Sequence, residues 1–87
     1  MSDKFSFENL DAYKLYLSDL GLLIKQAACE AQQKSHLQLE EGDKIFQQGR
    51  VMAYVEIISL MQSQAKAFRI PLSDLRLDKF DPVKDLT

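Results

Sequence analysis

The sequence predicts a single all-α domain: a long antiparallel helical hairpin, about 6–35 and 43–69, with a short C-terminal extension over 71–87. Two observations carry this reading. Apolar residues recur at alternating intervals of three and four over two long stretches, and one polar, glycine-bearing segment interrupts them. A third observation, Pro71, closes the second stretch and sets off a tail of different character.

In the first stretch the periodic residues are Leu10, Tyr13, Leu17, Leu20, Ile24, Ala27 and Ala31. Their spacing keeps them on one face of a helix, and Ser6 with Glu8 and Asn9 supplies the expected start. A hydroxyl there accepts from unpaired amides, and a negative charge suits the positive end of the helix dipole. The run Ser35-His36-Leu37-Gln38-Leu39-Glu40-Glu41-Gly42-Asp43 breaks the pattern, and Gly42 is the expected point of reversal because glycine reaches backbone conformations other residues avoid. The second stretch carries Val51, Tyr54, Ile58, Met61, Ala65 and Phe68, with Ile57 and Leu60 widening the stripe. Pro71 disfavours helix at Ile70, so this helix should end near Arg69. Beyond it, Leu72–Leu75 and the Asp81-Pro82 start are each expected to form a short turn of helix.

A reversal near 38–42 pairs residues whose numbers sum to about 80. Ala27, Ala28 and Ala31 then meet Gly49 and Ala53 near the bend, where the helices are expected to approach closely. That gives Gly49 a reason, since an interior glycine costs ~1 kcal/mol relative to alanine. Farther out, Leu20 and Ile24 should meet Ile57 and Ile58, Tyr13 and Leu17 should meet Met61 and Ala65, and Leu10 should lie beside Phe68.

Helix 1 carries more apolar surface than this seam uses. Leu15, Leu22 and Cys29 form a second seven-residue series, with Tyr16 and Leu23 bridging the two stripes. On helix 2, Phe46, Arg50 and Tyr54 form a row in which an arginine stem lies across an aromatic edge. These eight residues are the candidate interface. Contiguous leucines exceed the scattered exposure that requires no explanation, so a cover is expected. One cover is the C-terminal extension with Leu72, Leu75, Leu77, Phe80, Val83 and Leu86. The other, which the thin core favours, is a second hairpin, giving a homodimeric four-helix bundle sealed in part by the tails.

Composition narrows the function. The chain has 87 residues, 46% hydrophobic and 28% charged, with 11 basic and 13 acidic side chains and a net charge of -2, which suits a globular domain with a thin core. Basic residues near the C-terminus, from Lys66 to Lys84, alternate with Asp74, Asp78, Asp81 and Asp85, so nucleic acid is not the expected partner. The uncharged stretch Leu20–Ile24 is far below the ~20 residues of a membrane span. One cysteine forms no internal disulfide, and the N-terminus lacks the pattern of a secretory signal, so a reducing cytosol is the expected compartment.

No catalytic, cofactor or metal-binding residues are assigned. His36 has no Cys, Asp or Glu at a recognised ligand spacing and reads as a turn histidine. Cys29 lies between Ala28 and Glu30, without the base or positive setting of a nucleophile. Glu40, Glu41 and Asp43 lack the alternation of a calcium loop and read as helix-start charges. The acids near the C-terminus read as capping and solvating groups. The expected function is therefore a non-enzymatic protein–protein interaction or adaptor protein acting as a dimer. Small chaperones and adaptors of secretion or phage systems share the general shape, an analogy of fold alone. The competing reading is a nucleic-acid-binding or regulatory dimer that aligns Lys25, Lys34, Lys44 and Arg50.

Overall fold

The structure is a computed structural model that describes residues 7–87, with side chains from Leu10 onward. A cap on helix 1 from Ser6 lies outside the described residues. Helix α1 spans Phe7–Ser35 and helix α2 spans Glu41–Ala67, and they pack side by side as an antiparallel hairpin. A 3₁₀ turn at Leu72–Leu75 and a short helix α3 at Pro82–Leu86 follow, and the described residues contain no strand. The molecule is a rod of 57 × 21 × 16 Å.

The reversal occupies residues 36–40, where His36 and Leu37 donate back to the carbonyls of Gln33 and Lys34 and Glu40 enters α2 in an extended conformation. Gly42 is not the hinge. It lies inside the first turn of α2, has no positive φ, and faces open space. Glu41 and Asp43 fill that first turn, where their charges suit the dipole.

Helix α2 ends at Ala67 in a Schellman arrangement. The amide of Ile70 donates to the carbonyl of Ala65 and that of Arg69 to Lys66, with Arg69 left-handed at φ 59°. Arg76 and Lys79 are the other two non-glycine residues with positive φ among the described residues. All three mark corners at which the C-terminal segment changes direction.

The buried core consists of Ala28 and Ala31 from α1, Val51, Val55, Ile58 and Ala65 from α2, and Leu75, Leu77 and Leu86 from the C-terminal segment. Leu17 and Ile24 pack against it. The inner line of α1 is thus Leu17, Gly21, Ile24, Ala28 and Ala31, rotated from the expected stripe toward the tail. Leu10 is exposed where α1 runs past the end of α2, Tyr13 is exposed on the side of α1 away from the core, and Phe68 is exposed in the turn beyond α2. Leu17 does line a common depression with Met61 and Ala65, which agrees with the expected pairing of these levels.

The close approach expected at Gly49 does not occur, for an added Cβ there would meet nothing within 4 Å. Gly21 fills that role instead. A Cβ on Gly21 would sit 1.8 Å from the carbonyl oxygen of Leu75, so only a hydrogen at this position lets the 3₁₀ turn rest on α1.

From this contact the C-terminal segment runs as a strap along the groove between the helices, from the open end back to the bend. About half of the strap is irregular, and several of its carbonyls take donors from elsewhere. The hairpin provides them. Lys25 Nζ donates to Arg76 O at 3.0 Å, Gln62 Nε2 to Leu77 O and Phe80 O at 3.1 and 2.7 Å, and Gln32 Nε2 to Asp85 O at 3.1 Å. Arg76 Nε donates in turn to Ser18 Oγ at 3.1 Å. At the far end Asp81 caps α3 by accepting from the amides of Val83 and Lys84, with Pro82 at the first helical position. Asp85 accepts from the Asp81 amide and completes the cap.

Candidate interaction surface

The strap divides the hairpin into two unlike faces. Its anchors Ser18, Gly21, Lys25 and Gln32 on α1 and Gln62 on α2 define the covered side. At 100° per residue, the opposite side of α1 presents Tyr13, Tyr16, Leu20, Leu23 and Ala27. The opposite side of α2 presents Phe46, Arg50, Ala53, Ile57, Leu60 and Phe68, with Gln64 completing the row. Both rows keep intervals of three and four, so each helix carries a second seam of the kind that lines a helical bundle.

This back face is open. Tyr16 is 67% exposed, Leu23 53%, Leu60 64% and Phe46 64%. From Tyr13 to Ala27 and from Ala53 to Phe68 the two rows contain no Asp, Glu, Lys or Arg. Charge enters only toward the bend, where Glu30 and Lys34 pair at 3.2 Å and Arg50 donates to Gln47 Oε1 at 2.9 Å. At the open end a shallow apolar depression of about 180 Å³ lies between Leu17, Met61, Ala65, Phe68, Ile70 and Leu75.

The residues singled out in the sequence fall into two groups. Tyr16 and Leu23 share the back face with Phe46 and Arg50, and Tyr54 borders it, half-buried against the core. Leu15, Leu22 and Cys29 lie on the other flank of α1, next to the strap. There Leu22 and Cys29 are half-buried, while Leu15 is exposed beside Asp19 and Arg76. The strap therefore screens part of the Leu15 series and none of the back face. Tyr13, Leu20, Ala27, Ala53, Ile57, Leu60 and Phe68 belong to the back face and not to the inner stripe that the sequence predicts. The missed signal is that they fit a second seven-residue series as well as the first.

The four cations of the competing reading are dispersed. Lys25 serves the strap and stands 5.8 Å from the Phe80 ring centroid, Lys34 is paired with Glu30, Lys44 is exposed in the first turn of α2, and Arg50 lies on the back face. A groove beside the strap is lined by Lys66, Lys79 and Lys84 together with Asp81 and Asp85, a mixture of signs. Among the described residues no three His, Cys, Asp or Glu side chains converge as metal ligands, and no buried side-chain polar atom lacks a partner. No described helix is long and apolar enough to cross a membrane.

Fold and surface together define an all-α helical hairpin, clasped on one side by its own C-terminus and apolar on the other. No protein family, no curated protein and no solved structure matches the chain.

Proposed function

We propose that this protein is a non-enzymatic docking module whose working surface is the uncovered back of the hairpin, and that what it receives is another apolar helical face. The observation that supports this is the second seam on both helices, uncharged over its central length and open to water. Single exposed leucines are ordinary, but two aligned rows of them are the pattern of a surface that is covered in use. Knobs spaced at three and four fit the holes of a helical partner better than an extended strand or a small molecule.

A photo-crosslinking amino acid placed at Leu60 or Tyr16 tests this in the native source. Covalent protein adducts are expected from those positions and not from Lys84, which is also exposed, on the strap side. Equal yields from both sides would refute a dedicated face.

A further inference from the structure

We infer that the occupant of the back face is a second copy of this chain, laid on it with its bend pointing the opposite way, so that two hairpins form a four-helix bundle. The inference rests on the docking reading above and names its partner.

Area is the first argument. In the arrangement below the α2 rows overlap from Arg50 to Phe68, about 27 Å at 1.5 Å per residue, and two helices side by side are about 20 Å wide. A face of those dimensions offers roughly 550 Å² per copy, or ~1,100 Å² in the pair, just above the ~1,000 Å² that a specific interface needs.

The second argument is how residue size changes along the rod. Taking facing levels from the hairpin pairing, the layers of the back face run from the open end as Tyr13 with Phe68, Tyr16 with Gln64, and Leu20 with Leu60. They continue as Leu23 with Ile57, Ala27 with Ala53, and Glu30 with Arg50. Bulk declines from aromatic to alanine. If two copies met with bends at the same end, four aromatic rings would stack at one level and four alanines at another, and the rods could not keep one separation. A two-fold axis between the Leu20 and Leu23 levels instead sets Tyr16 of one copy over Ala27 of the other, and Leu20 over Leu23. The layers then differ less in volume, with no level built of four aromatic rings or of four alanines, which favours close packing. The same operation brings Phe68 over Arg50 of the second copy, a cation against an aromatic face.

The Leu15 flank has no such complement and is not part of this interface. Consequently Leu23→Glu with Leu60→Glu should separate the copies, while Leu15→Glu should not. Both positions of the double variant are exposed in the single hairpin, so helix content by circular dichroism should be retained.

The test uses the full chain with Cys29→Ser, so that introduced cysteines are the only thiols. Light scattering at micromolar concentration should give the mass of two chains, falling to one in the Leu23→Glu/Leu60→Glu variant. Mixing Tyr16→Cys chains with Ala27→Cys chains under mild oxidation should give an intermolecular disulfide. Mixing Tyr16→Cys with Gln64→Cys chains should not. A link in the second mixture and none in the first would place both bends at one end and overturn the arrangement. A monomer mass for the unsubstituted chain would overturn the second copy as occupant. If Leu60-specific adducts to another protein persisted in that case, the docking reading would survive, and if they too were absent, both would fall.

Discussion

Alanine in place of Gly21 should destabilise the protein even though alanine is the better helix former. Inside a helix the exchange gains about 1 kcal/mol from backbone propensity alone. Against that, the new Cβ would stand 1.8 Å from Leu75 O and 2.8 Å from Leu75 C. Both are backbone atoms, so no rotamer change relieves the overlap, and the 3₁₀ turn must retreat by more than an ångström. Retreat uncovers Leu75 and Leu77, which are 4% and 0% exposed. A fully buried leucine contributes ~1.5–3 kcal/mol, so partial to complete loss at both sites outweighs the helix gain and leaves a net cost of about 1–4 kcal/mol. For a domain of this size that is a fall in Tm of roughly 4–30 °C. Thermal unfolding followed by circular dichroism measures it, with Gly42→Ala and Gly49→Ala as internal controls. Both controls have open space at the Cβ position and should be stabilised by up to ~1 kcal/mol each. A Gly21→Ala protein that melts higher, alongside the two controls, would refute the close contact between α1 and the strap.

Two further substitutions probe how the strap is held and how α2 ends. Gln62→Ala removes the donor to both Leu77 O and Phe80 O, and should lower stability by about 1–3 kcal/mol in urea titration while speeding hydrogen exchange in the strap before that in α2. Arg69→Gly relieves a left-handed residue at the Schellman position and should raise stability by roughly 0.5–1 kcal/mol, read as a higher urea midpoint at unchanged slope.

Periodicity made the two helices legible, and Pro71 and Asp81-Pro82 made the breaks in the tail legible, because each of these signals is local. What periodicity could not do was orient α1. Leu10, Tyr13, Leu15, Tyr16, Leu17, Leu20, Leu22, Leu23 and Ile24 cover most of its circumference, so several heptad stripes fit equally well. The stripe that is buried is the one with the smallest members, Gly21, Ala28 and Ala31, because that side accommodates α2 and the strap together. Size, more than hydrophobicity, was the informative property. The glycines misled for a related reason: Gly42 and Gly49 stand where a turn and a close contact were wanted, yet both lie in open helix, while Gly21 is inconspicuous within a run of leucines. The left-handed corners at Arg69, Arg76 and Lys79 carry no sequence signal, since none of them is glycine or asparagine. The candidate surface was half legible, with Tyr16, Leu23, Phe46 and Arg50 found and Leu60 and Phe68 assigned to the wrong side.

A repeat of seven is indifferent to sliding: two helices displaced by one full heptad still bring apolar rows together. In this chain the polar anchors of the tail remove that ambiguity. Lys25 and Gln32 grip it from one helix and Gln62 from the other, at fixed distances from the end of α2. A displacement of ~10 Å along the axis would break these hydrogen bonds on one side of the tail. The last seventeen residues thus act as a vernier that selects one alignment from several that the oily rows alone would accept.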